Sequence, residues 1–159
     1  MIQNSRRVLI LLQPIIYKLQ IVILTMWRYF KDYPFSIIIV LIVIYLSVTQ
    51  PPKIGILLFK NADKFIHFCM YGGISGVFWL EYLFKHRKKK LNYFKAFIGG
   101  VLTPILLGGA IELFQRYFTR FRSGDWFDMS ANISGVVIAT VIALFLLRPL
   151  ILKRPKTNV

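Results

Sequence analysis

Acidic residues and cysteine are scarce in this sequence: six Asp and Glu stand against 21 Lys and Arg, and Cys69 is alone among 159 residues. A lone cysteine excludes an intrachain disulfide framework and a cysteine-rich zinc site, leaving Cys69 as a small buried apolar residue. Charged residues of either sign make up only 17% of the chain and apolar ones 57%, which excludes disorder. No nucleophile motif, Gly-rich phosphate loop or H-E-x-x-H pair occurs.

What the chain has instead is long apolar runs. Residues 37–48 and 133–147 are too long and too little interrupted for the surface elements of a small soluble domain. Four candidate spans emerge, 33–49, 66–84, 96–114 and 131–150, each close to the ~20 residues that cross a hydrocarbon core. Pro51-Pro52 stops the first, the basic run 85–90 parts the second from the third, and Ser123-Gly124 turns the chain into the fourth. Thr103-Pro104 should kink the third span. Residues 8–27 are apolar but broken by Gln13, Pro14, Lys18, Gln20 and Thr25, a pattern that suits a helix lying in the interface. The expected fold is therefore all-α: a polytopic transmembrane helix bundle of four spans plus an N-terminal interfacial helix. Its parts are an N-terminal segment 1–31, with translation from Met26 as the alternative start, a four-helix domain 32–152, and a basic tail 153–159.

A formal charge of +15 would suggest nucleic acid in a soluble chain. Here the basic residues fall between apolar segments, so the lipid bilayer is the expected partner and nucleic acid is not. Arg28 and Lys31, the group Lys85, Arg87, Lys88, Lys89, Lys90 and Lys95, and the group Arg148, Lys153, Arg154 and Lys156 fall on one side of a four-span layout. That side, with the C-terminus, is expected to be cytoplasmic, and the connections 50–64 and 115–130 extracytoplasmic.

Four of the six acids, Asp63, Glu112, Asp125 and Asp128, fall at the extracytoplasmic end of this layout. A carboxylate in an apolar helix costs up to about 2.5–3.5 kcal/mol at mid-bilayer on insertion scales, so it implies a paired or functional role. Asp63, His67 and Tyr71 repeat every four residues and share one stripe of a helix. Glu112 lies three and four residues before Gln115 and Arg116, and Asp128, Asn132 and Gly135 follow Asp125 at helical spacing. Gly72 and Gly76, with Ala131, Gly135, Ala139 and Ala143, would let two of these helices approach closely. Glu81 and Asp32 read as counter-charges to nearby bases, His86 as solvated, and Trp126-Phe127 as an interfacial anchor or a wall of the site.

These residues resemble the VanZ-like family of small bacterial membrane proteins, named for an accessory teicoplanin-resistance protein. Asp63-Lys64-Phe65-Ile66-His67-Phe68 resembles its D-K-x-x-H-F block, and Gly108 to Gln115 its G-x-x-x-E-x-x-Q block. Arg122-Ser123-Gly124-Asp125-Trp126-Phe127-Asp128-Met129-Ser130-Ala131-Asn132-Ile133-Ser134-Gly135 resembles its R-x-x-D-x-x-D-x-x-A-N-x-x-G block. The resemblance covers roughly residues 32–150. It implies a multi-pass plasma membrane protein and, in a resistance setting, lower susceptibility to teicoplanin.

The expected binding set is Asp63, Lys64, His67, Tyr71, Glu112, Gln115, Arg122, Asp125, Asp128 and Asn132. Acids and amides can hold sugar hydroxyls or amines while Lys64, Arg116 and Arg122 pair phosphate or carboxylate, which suits a lipid-linked envelope intermediate or a glycopeptide-related ligand. If the site is catalytic, Glu112 or Asp128 is the general base, His67 the proton shuttle and Arg122 the stabiliser of developing charge. The alternatives are a purely structural network in a scaffold protein and a proton or small-solute pathway. No cofactor is expected, and no metal is assigned, because one histidine among the acids is little to hold one.

Overall fold

The computed structural model describes residues 2–49, 62–118 and 125–152, with backbone alone for residues 2–12. Among the described residues every regular element is helical and none is a strand. The described residues form five helices: α1 (Ile2–Asp32), α2 (Pro34–Val48), α3 (Ala62–Lys85), α4 (Tyr93–Phe118) and α5 (Trp126–Ile151). The expected stops at Pro51-Pro52 and Ser123-Gly124, the basic tail 153–159 and Arg122 lie outside the described residues.

Helices α4 and α5, 26 residues each, are long and apolar enough to cross a membrane, and a third span results if Gln13–Asp32 and Pro34–Val48 count as one broken helix. Helix α3 is less apolar because it carries Asp63, Lys64, Glu81 and Lys85. The exposed faces are apolar: Ile38, Leu41, Ile42 and Tyr45 on α2, and Val137, Ile138, Val141 and Phe145 on α5. Such contiguous apolar surface is what hydrocarbon, not water, tolerates.

The chain divides into two compact units, residues 1–34 and 35–159. In the first, α1 continues through Pro14, whose ring removes one backbone donor. Gln13, Tyr17, Gln20 and Lys31 recur at helical spacing on one side, which makes α1 amphipathic. Lys31 Nζ sits 5.2 Å from the Trp27 ring centroid.

In the second unit α3 and α5 pack along their length. The pairing is set at Gly135, where an added Cβ would lie 2.2 Å from the Phe68 carbonyl oxygen, so only a bare backbone fits. Gly72 is its counterpart on α3, its Cβ direction ending 3.3 Å from the Gly135 carbonyl oxygen. Val43, Tyr71, Ile74 and Val136 form the core between α2, α3 and α5, and Val101, Ile105 and Leu107 add α4.

Pro104 within α4 and Pro149 near the end of α5 each follow a π turn, Ile98–Leu102 before Thr103-Pro104 and Ala143–Leu147 before Arg148-Pro149. Proline offers no N–H to the carbonyl four residues back, and a wider turn accommodates the gap. Thr103 N–H and Oγ1 both donate to the Ile98 carbonyl, and Ser75 Oγ donates to the Gly100 carbonyl at 2.6 Å. Where a kink is expected, at Thr103-Pro104, the chain makes a π turn within one continuous helix.

Glu81 does more than balance charge. Its two oxygens accept the Phe35 and Ser36 N–H groups, each at 2.9 Å, and the Ser36 hydroxyl, so a side chain on α3 caps the first turn of α2. His86 is half-buried rather than solvated, stacked 4.2 Å from the Tyr82 ring, and Tyr82 Oη both donates to and accepts from the Asn92 backbone.

Candidate functional site

At the opposite end of α3 from Glu81, three helices bring polar side chains together. The i, i+4 stripe Asp63, His67 and Tyr71 faces Glu112 of α4 and Asp128 and Asn132 of α5. His67, Tyr71 and Asn132 are no more than 1% exposed, Asp128 is 6% and Glu112 8%. Such burial of ionisable groups is rare without a pairing or functional cause.

The contacts run as one network. His67 Nδ1 lies 3.1 Å from Asn132 Oδ1 and 3.5 Å from Glu112 Oε1. An amide oxygen and a carboxylate both accept, so the neutral tautomer that fits these contacts carries its proton on Nδ1 and its lone pair on Nε2. Glu112 Oε2 accepts the Asp125 N–H at 3.3 Å. Asp125 is the N-cap of α5: its backbone is extended and its Oδ1 accepts the Phe127 N–H at 3.1 Å. Lys64 reaches Asp125 Oδ2 at 3.2 Å and Asp128 Oδ1 at 3.5 Å, with its ammonium 5.7 Å from the Phe127 ring centroid. The Phe127 amide foremost, then Lys64, holds the Asp125 carboxyl below its ordinary pKa. Lys64 and Asp125 are both partly exposed, so solvent screens the pair and it adds little to stability.

Two features set this end apart. The first is polar surplus: among the described residues Tyr71 Oη, Asn132 Nδ2 and Ser47 Oγ are buried with no hydrogen-bond partner. Tyr71 and Asn132 meet at Gly108, where an added Cβ would be 3.1 Å from Tyr71 Cε1 and 3.1 Å from Asn132 Nδ2. The second is a cavity of about 130 Å³ between α4 and α5, lined by Gly109, Glu112, Leu113, Arg116, Asp125, Trp126 and Met129. Its walls are mostly apolar and its charged groups are Glu112, Asp125 and Arg116. Trp126 is therefore a wall of this cavity, and Phe127 a neighbour of Lys64.

The expected residues come together in large part. Asp63, His67 and Asp128 each place one donor atom within 4.8 Å of the others. Gln115, 2% exposed, donates to the Ser47 carbonyl at 2.7 Å, supplying one of the carbonyls left over at the end of α2. Arg122 lies outside the described residues.

The stripe also runs further than its first three members suggested. Ser75 and Trp79 continue it at the same four-residue step, both buried, and Trp79 Nε1 donates to Thr140 Oγ1 at 3.1 Å. The signal that would have found them was the spacing itself, carried two more turns. Comparison with family models, with curated proteins and with solved structures gives no match to this chain. Chemically, an imidazole fixed by an amide and a carboxylate, with its second nitrogen available, can move a proton, bind a cation or orient a polar head group.

Proposed function

We propose that this chain is a multi-pass plasma membrane protein of VanZ-like kind whose polar site binds or modifies a lipid-linked component of the cell envelope. In this reading α2, α3, α4 and α5 are the four spans, α1 is interfacial, the basic connection 85–90 and the C-terminus are cytoplasmic, and the site faces outward. Lower teicoplanin susceptibility is the cellular consequence that the resemblance implies.

The observation that carries the reading is the cavity beside the network. Leu113, Trp126, Met129 and Gly109 offer apolar contact while Glu112, Asp125 and Arg116 offer charge, a combination that fits an amphiphile with a polar head and a hydrocarbon tail. The surplus donors Tyr71 Oη and Asn132 Nδ2 add hydrogen-bonding capacity that the protein leaves unused.

The test is native mass spectrometry of the full chain released from nanodiscs containing a polyprenyl-pyrophosphate-linked sugar. Wild type should retain the lipid and Glu112→Gln should lose it; no retention by wild type, or equal retention by both, sinks the reading. A purely structural network is the second reading, favoured by the Asp125 cap and the Gln115 bond to Ser47. The same variant separates the two, since breaking a buried structural pair would lower stability by about 3–5 kcal/mol.

A further inference from the structure

We infer that Asp63, His67 and Asp128 form a binding site for a first-row divalent cation, Mn²⁺ or Zn²⁺, with Asn132 and Glu112 holding the imidazole in place. Their three donor atoms lie within 4.8 Å of one another, and a small inward shift of the side chains would bring them to the ~2.0–2.2 Å bond lengths of one ion. A mixed set of one imidazole nitrogen and two carboxylate oxygens suits Mn²⁺ or Zn²⁺; Mg²⁺ and Ca²⁺ take oxygen almost alone.

The independent support is the arrangement behind His67. Ligating histidines nearly always give their second N–H to a carbonyl or carboxylate, which fixes the tautomer and aims the ring. His67 has that partner in Asn132 Oδ1, with Glu112 Oε1 at 3.5 Å, an arrangement that in the Nδ1–H tautomer leaves the Nε2 lone pair for an ion. Asn132 is wholly buried, and its Nδ2 lacks a partner among the described residues, as does Tyr71 Oη, whose ring lies parallel to His67 at 6.5 Å. An ion's water or a bridging ligand oxygen would supply an acceptor for such donors.

Of the described residues, Asp63, Glu112, Asp125 and Asp128 stand here against Lys64, with Arg116 exposed on the cavity wall. Lys64 is the competing cation, 3.5 Å from Asp128, and it has a second anchor in Asp125 to which it can retire when the ion takes Asp128. The inference goes beyond the envelope reading and needs no lipid, so either can fail alone.

The experiment is Mn²⁺ titration of the purified full chain in detergent, read as loss of the free-ion electron paramagnetic resonance signal, with Zn²⁺ as displacer. Wild type should bind one saturable Mn²⁺ that Zn²⁺ displaces and excess Mg²⁺ does not. Asp63→Asn and Asp128→Asn should each lose binding, and His86→Gln should keep it. Lys64→Met should tighten binding by about tenfold, because a nearby positive charge is removed. Mn²⁺ and Zn²⁺ that both stay free with wild type, or unchanged binding in the two Asn variants, overturn the site. An unchanged Kd in Lys64→Met overturns the placement of the ion at Asp128, and this arm stands even if an Asn variant fails to fold.

Discussion

The two ends of α3 handle their acids in opposite ways. At the Glu81 end one carboxylate meets three donors, the Phe35 and Ser36 amides and the Ser36 hydroxyl, and no buried polar side-chain atom among the described residues there lacks a partner. At the His67 end acids crowd other acceptors, Lys64 is the one buried or half-buried cation among the described residues at the site, and Tyr71 Oη and Asn132 Nδ2 find no partner there. The first end is what stability alone would produce. The second keeps polar capacity that the fold does not use, and natural proteins retain such excess where it serves a ligand.

Glu81→Ala breaks the satisfied end and should have the largest effect. It strips the cap from the first turn of α2 and leaves two amides, one of them on buried Ser36, without their acceptor. A loss of about 2 kcal/mol is expected, at the upper end of capping values, because the acceptor is charged and serves two donors. Thermal melting in one detergent measures it. A melting temperature equal to wild type would mean that water replaces the carboxylate freely and that the two ends do not differ in kind.

Two hydroxyls on the same stripe of α3 sharpen the comparison. Ser75 Oγ donates to the Gly100 carbonyl at 2.6 Å, filling a gap that Pro104 creates, whereas Tyr71 Oη is buried with no partner among the described residues. Ser75→Ala should therefore cost about 1 kcal/mol, and Tyr71→Phe should be neutral or gain a few tenths of that, since it removes a desolvated group that makes no bond. Equal losses in the two variants would show that Tyr71 is bonded in solution and that the surplus at the His67 end is illusory.

How much of this was legible follows from range in sequence. Helical residues four apart share a face whatever surrounds them, so spacing alone puts Asp63, His67 and Tyr71 together, and the small residues at 72 and 135 announce a close helix pair. Glu81 could not be read this way: its partners are Phe35 and Ser36, more than forty residues earlier, and only the packing of α2 on α3 makes it a cap rather than a counter-charge. Gln115 is similar, since its spacing from Glu112 suggested a shared stripe while its donor goes to Ser47 on α2. The proline signal at 104 was visible, but the π turn before it was not, because how the missing N–H is accommodated depends on a neighbour such as Ser75.

The smallest expected effect concerns acid. The Asp125 carboxyl is held below its ordinary pKa, first by the Phe127 amide that it caps and then by Lys64. A carboxyl lowered by folding contributes stability that is fully present above its unfolded pKa, about 3.9, and is lost as pH falls through the folded value. Wild type should thus lose a small part of its stability only below about pH 4. Asp125→Asn keeps an oxygen to cap Phe127 but cannot titrate, so its melting temperature should fall less steeply than wild type on acidification and differ little near neutrality. Glu81→Gln supplies the contrast at the other end of α3, because its amide retains only one acceptor atom for three donors and its loss should be visible at neutral pH as well. If both variants show the same pH profile, the two acids are held alike, and the difference between the ends of α3 rests on hydroxyls and amides alone.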